Sequence, residues 1–212
     1  MADGVRRAAP FAVAVLGFGI SFGILARATG MPAAAAITMS LTTFGGSAQF
    51  AAISVLAASG PVVSAVVTAV LLNTRYLPIG ISIAPALTGG PVRRLLQAQL
   101  VVDEAWALGH LGGGRYSRNL LISVGLTLYV TWNVGTALGT LGGAWLGSPE
   151  RLGLDAAFPA LFLALLVGQV HTRRALLAAL LGATIALTLV PIAPPGVPVV
   201  AAAVACLLGW RR

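Results

Sequence analysis

Three long stretches of this chain contain no charged residue. Residues 28–74, 119–149 and 175–210 lack Asp, Glu, Lys and Arg altogether. A helix of about 20 apolar residues crosses the hydrocarbon core of a bilayer, so each stretch can hold at least one span. Charged residues are 8% of the 212 residues, against about 25% in a soluble domain. The chain is therefore predicted to be an all-α, polytopic transmembrane helical bundle in the lipid bilayer, with residues 1–212 forming a single transmembrane domain.

Glycine, proline and arginine clusters divide the chain into eight apolar segments. We predict helices for them because a helix satisfies its backbone hydrogen bonds within the segment, and the alternation typical of barrel strands is not seen. The segments are 10–26, 31–58, 61–88, 94–112, 119–146, 154–170, 175–191 and 197–210.

Arginines near the segment ends predict the orientation, because cytoplasmic loops carry an excess of Lys and Arg. If all eight segments cross and the N-terminus is inside, eight arginines are cytoplasmic and four are external. If one segment within 31–90 is re-entrant and 94–112 does not cross, the tally becomes ten against two. Both arrangements place both termini in the cytoplasm. We expect six to eight membrane segments, some of them broken or re-entrant.

The segment 31–58 is longer than one span needs, because its 28 residues would measure about 42 Å as a straight helix. Gly45 and Gly46 lie at its middle, and each glycine weakens a helix by about 1 kcal/mol relative to alanine. An unwound turn there would expose the positive end of a half-helix, which favours carboxylates. Gly45, Gly46, Ser47 and Gln49 are therefore candidate substrate-binding residues. The alternative is a tight helix crossing, which small residues permit.

A second interruption, at residues 73–78, places Asn73 and Arg75 within an otherwise apolar segment. A charge at bilayer depth costs at least about 2.5 kcal/mol, so Arg75 needs a partner or a watery cavity. Asn73 is a candidate substrate-binding residue, and Arg75 is a candidate counter-ion or substrate contact. The alternative is an arginine at a helix end whose charged group reaches the membrane interface.

Polar residues are concentrated in the segment 94–112. Carboxylates within membranes are candidates for proton relays and pair readily with arginines. Asp103 and Glu104 are therefore candidates for proton coupling or for an ion pair with Arg75; the alternative is a structural Asp–Arg pair that closes the bundle. On a continuous helix, one stripe would hold Gln99, Asp103, Trp106 and His110.

The segment 119–146 combines packing and polar features. Trp132 and Asn133 are candidate substrate-binding residues that would face the same cavity as the break at Gly45 and Gly46. Glycines every four residues form a groove that lets a second helix approach closely. These glycines are Gly135, Gly139 and Gly143, with a weaker pair at Gly19 and Gly23 of the first segment. Asp155, at the start of the next segment, is interpreted as a helix N-cap.

Motifs for cofactor chemistry are missing from the sequence. There is no phosphate-binding glycine loop with lysine, no HExxH and no GxSxG. We therefore expect no cofactor, no metal site and no enzymatic activity. No nucleic-acid partner is expected either, because the arginines lie mostly at segment ends and report topology. An intramembrane hydrolase that uses Ser47 with His110 and Asp103 is an alternative without a nucleophile motif.

The order of several motifs along the chain resembles the AzlC/YgaZ family, the large subunit of branched-chain amino-acid exporters in bacteria. The motifs are GGSAQF (45–50), LNTRYLPIG (72–80), VVDEAWAL (101–108), WNVGTALG (132–139) and LDAAFPALF (154–162). Together they extend over about residues 8–170. The chain departs from relatives at Asn73, where some carry aspartate, and at Leu77-Pro78, where leucine–tyrosine is common.

The resemblance implies a subunit of a secondary transporter that exports leucine, isoleucine and valine across the bacterial cytoplasmic (inner) membrane. It also implies a small membrane partner of the AzlD/YgaH type. We expect the break around Gly45 to bind the substrate carboxylate and Trp132 to contact the aliphatic part. We further expect Asp103 to couple export to the proton gradient. The alternative is an accessory membrane subunit of a different transporter or channel.

Overall fold

The structure, a computed structural model, describes residues 1–142, 163, 166–167, 170–193, 197–202 and 204–205. These residues are largely helical and contain no β-strand, apart from an isolated antiparallel bridge between His110 and Tyr116. The prediction of an all-α fold is confirmed. The helices are α1 (Ala2–Ala28), α2 (Ala33–Thr43), α3 (Gly46–Ala57), α4 (Val62–Asn73), α5 (Tyr76–Ile83), α6 (Pro91–Gln99), α7 (Asp103–Gly109), α8 (Arg118–Gly142), α9 (Arg173–Leu189) and α10 (Val197–Ala202), with a 3-10 turn at Ala84–Ala86.

The chain divides into two compact units. The first comprises Met1–Gln49 with Asn73–Gly147, and the second comprises Phe50–Leu72 with Ser148–Arg212. Every candidate site residue named from the sequence lies in the first unit. In the second unit, the Thr172 hydroxyl caps α9 by accepting a hydrogen bond of 3.1 Å from the backbone amide three residues on. A single domain over residues 1–212 stays a prediction.

Helices α1 and α8 cross at close backbone distance and form the centre of the first unit. An added Cβ at Gly19 would lie 2.6 Å from the Trp132 carbonyl oxygen, and one at Gly135 would lie 2.6 Å from the Leu16 carbonyl oxygen. Residues without a Cβ allow this approach. The predicted packing groove is therefore confirmed for Gly19, Gly23, Gly135 and Gly139, whereas Gly143 lies outside the described residues.

Among the described residues, three helices are long and apolar enough to cross a membrane. They are α1 (Ala2–Ala28), α8 (Arg118–Gly142) and the helical stretch Val62–Ala86, which contains α4, α5 and the 3-10 turn. Helices α2 and α3 are shorter apolar helices, and the interruption between them lies within the segment 31–58, where a break was expected. The number of membrane segments, six to eight, and the cytoplasmic position of both termini stay predictions. The N-cap expected at Asp155 lies outside the described residues.

The prediction of one continuous helix over 94–112 is wrong. Helix α6 ends at Gln99 and α7 begins at Asp103, with an extended Val102 (φ −113°, ψ 173°) between them. The β-branched pair Val101 and Val102 favours extended backbone, and an aspartate favours the first turn of a helix. The expected polar stripe comprised Gln99, Asp103, Trp106 and His110. The helix break after Gln99 therefore separates the first of these residues from the other three.

Candidate functional site

The break predicted in the second apolar segment is present between α2 and α3. Phe44 follows the last residue of α2 and adopts a left-handed conformation (φ 39°, ψ 47°), before α3 begins at Gly46. A bulky residue in this conformation costs about 1–3 kcal/mol, and such strain is concentrated at functional sites. The Phe44 ring is buried and packs edge-on against Tyr129, with the ring centroids 4.9 Å apart. Packing against α8 thus holds the strained turn in place.

Close contacts from other elements explain both glycines at the break. An added Cβ at Gly45 would lie 3.0 Å from Asn73 Oδ1, and one at Gly46 would lie 3.2 Å from Cη2 of Trp132. The Gly45 amide donates a hydrogen bond of 3.3 Å to Gln49 Oε1, which orients the Gln49 amide group. The absence of side chains at both positions therefore lets an amide and an indole ring reach the unwound backbone.

Side chains from two other helices bind the carbonyl groups at the end of α2. The Tyr129 hydroxyl donates to the Leu41 carbonyl oxygen, and Gln99 Nε2 donates to the Thr42 carbonyl oxygen, both at 2.8 Å. The last carbonyls of a helix have no partner within it, and unsatisfied groups are costly in hydrocarbon. These contacts stabilise the break. The spacing of residues in the sequence does not predict that Tyr129 and Gln99 contact the end of α2. A polar group in an otherwise apolar segment is the signal that could have indicated such a contact.

Arg75 lies in the turn between α4 and α5, within the interruption predicted at 73–78. Its Nη1 is 3.0 Å from Asp103 Oδ2, and its Nη2 donates to Ser47 Oγ at 2.8 Å. The guanidinium also lies over the Tyr76 ring, with Cζ 5.2 Å from the ring centroid. The side chains of Arg75 and Asp103 are 36% and 40% exposed, so the ion pair is accessible. One cation therefore joins the start of α3 to the start of α7.

Several buried polar atoms around the break have no hydrogen-bond partner among the residues that the structure describes. They are Gln49 Nε2, Asn73 Oδ1 and Arg75 Nε. The other polar atoms of Gln49 and Arg75 are occupied by the Gly45 amide, Asp103 and Ser47. Buried polar groups in proteins are nearly always hydrogen-bonded, so these two donors and one acceptor are available to a polar group from outside the chain.

Trp132 and Asn133, although adjacent in the sequence, contact different parts of the protein. Trp132 is buried, stacks on Phe22 with ring centroids 5.9 Å apart, and covers Gly46 with its six-membered ring. The Asn133 amide nitrogen donates to the Tyr129 carbonyl oxygen one turn back, at 2.8 Å. The structure thus brings Trp132 to the glycine pair and ties Asn133 to its own helix. A role for Asn133 in binding substrate stays a prediction.

The polar residues expected on a single stripe contact separate elements instead. Asp103 contacts Arg75, Gln99 contacts the end of α2, and Trp106 Nε1 donates to a serine hydroxyl of α5 at 2.9 Å. Glu104 follows in the first turn of α7. Asp103 is therefore the carboxylate in direct contact with the arginine, while the role of either acid in proton coupling stays a prediction.

The sequence profile of the AzlC protein family matches residues 10–146, a range that contains the break and the ion pair. This chain belongs to the AzlC family. It is 31% identical to an uncharacterized membrane protein of Archaeoglobus fulgidus over 205 residues, which cover 95% of this chain and 90% of the relative. The family resemblance expected from the ordered motifs is thus confirmed.

Two further relatives of this AzlC-family chain carry informative names. It is 25% identical over 208 residues to the inner membrane protein YgaZ of Escherichia coli, covering 90% of this chain and 83% of that protein. It is 26% identical over 171 residues to the branched-chain amino acid transport protein AzlC of Bacillus subtilis, covering 77% and 67% respectively. No solved structure shows a significant match to the chain. The chain is a membrane protein of a transport-related family.

The contacts in this AzlC-family chain do not fit the hydrolase alternative. The Ser47 hydroxyl accepts from Arg75, Asp103 pairs with the same arginine, and His110 packs edge-on against Tyr116 with centroids 5.2 Å apart. A guanidinium stays protonated in proteins and cannot act as a general base, so these contacts do not activate a nucleophile. Within the described residues, no group of three or more His, Cys, Asp or Glu side chains could hold a metal.

Proposed function

We propose that this chain is a subunit of a secondary transporter that exports branched-chain amino acids across the cytoplasmic membrane in exchange for protons. The observation that carries the proposal is the set of buried polar atoms without partners around the break, beside the Arg75–Asp103 ion pair. The name of the Bacillus subtilis relative, a branched-chain amino acid transport protein, supports the substrate class.

The polar groups at the break suit both charged ends of a zwitterionic amino acid. Arg75 Nε and Gln49 Nε2 are donors, and a charged donor strengthens a hydrogen bond to a carboxylate. The N-terminal end of α3 adds the positive end of a helix dipole. Asn73 Oδ1 and the Asp103 carboxylate are acceptors for the ammonium group. The site would therefore bind the carboxylate and ammonium groups of the substrate and leave its side chain to apolar surroundings.

Asp103 gives the proposed site a way to exchange substrate for a proton. While ionised, its carboxylate lies 3.0 Å from Arg75 and can also attract the substrate ammonium group. A proton on Asp103 removes this negative charge, so the proton and the ammonium group compete for one carboxylate. Protonation at the acidic outer side favours release, and loss of the proton at the inner side favours binding. One proton then enters for each amino acid that leaves.

The proposed transporter includes a small membrane subunit of the AzlD/YgaH type and lies in the bacterial cytoplasmic membrane, with both termini inside. The name of the Escherichia coli relative, an inner membrane protein, supports this location. The competing hypothesis is an accessory role for this chain in a different transporter, which reconstitution separates from the proposal.

Reconstitution into liposomes, with and without the small subunit, tests the proposal. We expect efflux of labelled leucine to increase with an imposed pH gradient and to be inhibited by isoleucine and valine. Arg75→Lys should lose this activity, because a single ammonium group lacks the planar fork that holds Asp103 and Ser47 together. The matched control is Arg27→Lys, which changes an exposed arginine at the end of α1 and should retain transport.

Two results would count against this proposal. Leucine efflux that is unchanged in Arg75→Lys would show that the guanidinium contact joining Asp103 to Ser47 is not needed for transport. Absence of transport for every amino acid tested, with both subunits folded and present, would favour the accessory role.

A further inference from the structure

We propose that a cavity beside the break receives the aliphatic side chain of the substrate, and that Gly80 sets the largest side chain that fits. The inference rests on the proposed function, because it assigns the apolar half of the same substrate. The unpartnered polar atoms described above account for the carboxylate and ammonium groups only.

The cavity has the size and lining of a small-molecule site. Its volume is about 300 Å³, near the lower end of the range of about 300–1,000 Å³ seen for ligand pockets. An apolar wall with a few polar groups is typical of such pockets. The apolar part of the wall includes Phe44, Ile79, Ile83 and Leu95, and the polar members include Thr43 and Gln99.

Two aromatic residues connect this cavity to the polar site. Phe44 is the left-handed residue at the break and also lines the cavity. Tyr76 lines the cavity as well, and its hydroxyl lies 3.5 Å from Arg75 Nη2. An amino acid whose carboxylate contacts Arg75 therefore has its side chain within reach of the cavity. Leucine, isoleucine and valine would gain from the removal of apolar surface from water in proportion to its area.

Gly80 forms part of the cavity wall and lies inside α5. An added Cβ there would meet no heavy atom within 4 Å, and the backbone is outside the left-handed region. Neither a close approach nor the backbone conformation therefore requires glycine at this position. Glycine also weakens a helix interior relative to alanine. A larger residue at position 80 would therefore change the space along the cavity wall.

The test compares Gly80→Ala and Gly80→Val with Gly17→Val, in the full chain together with its small partner where transport requires one. Gly17 lies in α1, and an added Cβ there also meets no atom within 4 Å, so it controls for the loss of an exposed helical glycine. The KM values for leucine, valine and alanine are measured for each variant. Gly80→Val should raise the KM for leucine about 10-fold relative to that for valine, which is one methylene smaller, as expected when a methylene no longer fits an apolar pocket. Gly80→Ala should give a smaller change in the same direction, and Gly17→Val should give none.

Retained valine transport shows that a variant is folded, and the smaller, helix-favouring Gly80→Ala keeps the test decisive if Gly80→Val does not fold. An unchanged ratio of the leucine and valine KM values in the Gly80 variants overturns the inference and leaves the cavity to a lipid chain. If the unaltered protein transports none of the three amino acids, the proposed function itself is refuted and this inference with it.

Discussion

The crossing of α1 and α8 predicts opposite effects for two glycine-to-alanine substitutions in the same helix. An added Cβ at Gly23 would lie 2.5 Å from the Thr136 carbonyl oxygen and 2.7 Å from the Thr140 amide nitrogen. These are backbone atoms that cannot rotate away, so Gly23→Ala must separate the helices, and overpacking of this kind costs about 1–3 kcal/mol. At Gly17 an added Cβ meets nothing within 4 Å. Gly17→Ala should instead stabilise the helix by about 1 kcal/mol.

The gain in helix propensity is the same for both alanines and cancels in the comparison, which leaves a packing difference of about 1–3 kcal/mol. Each kcal/mol shifts the melting temperature of a chain of this size by about 2–4 °C. Gly17→Ala should therefore melt about 2–12 °C above Gly23→Ala. The assay is unfolding in nanodiscs followed by tryptophan fluorescence at one heating rate, because irreversible unfolding depends on that rate. Equal melting temperatures would refute the close crossing.

The remaining predictions concern the site. Asp103→Asn should abolish the dependence of leucine export on the pH gradient, whereas the unaltered protein should change its steady-state leucine ratio about tenfold per pH unit if one proton is exchanged. Glu104→Gln is the matched control and should keep this dependence; undiminished gradient-driven export by Asp103→Asn would remove Asp103 from the mechanism. Tyr129→Phe should lower the free energy of unfolding by about 1 kcal/mol, because it removes the donor to the Leu41 carbonyl and keeps the aromatic ring. A melting temperature equal to that of the unaltered protein would contradict the last expectation.

The break and the ion pair could be predicted from the sequence because polar and flexible residues are rare in a chain of this composition. A 31–58 segment too long for one span, with Gly45 and Gly46 at its middle, indicated an interruption, and the turn at Phe44 lies one residue before that pair. Arg75 was expected to need a partner or a watery cavity, and Asp103 was a candidate for an ion pair with it. Arg75 Nη1 lies 3.0 Å from Asp103 Oδ2. The energetic cost of charge in hydrocarbon is what makes such residues informative.

The division of the segment 94–112 could not be predicted by spacing, since spacing assumes a regular helix. The helix boundary depends on the local preferences of Val101 and Val102 and on contacts made only in the folded chain, such as that between Trp106 and α5. The left-handed Phe44 was equally inaccessible, because glycine is the residue normally expected in that conformation. Its position depends on packing against Tyr129, which is distant in the sequence.

The pattern of satisfied and unsatisfied groups favours a ligand site over a simple helix crossing at the break. Irregular backbone within a membrane is tolerated where protein or a cavity satisfies its polar groups. Side chains of α8 and α6 bind the final carbonyls of α2, and Gln49 binds the Gly45 amide. Among the described residues, Gln49 Nε2, Asn73 Oδ1 and Arg75 Nε are nevertheless buried without hydrogen-bond partners. Each such atom costs about 1–3 kcal/mol, so an apolar residue at position 73 would close the same turn with less loss of stability, which supports the proposed role of Asn73 in binding a polar substrate.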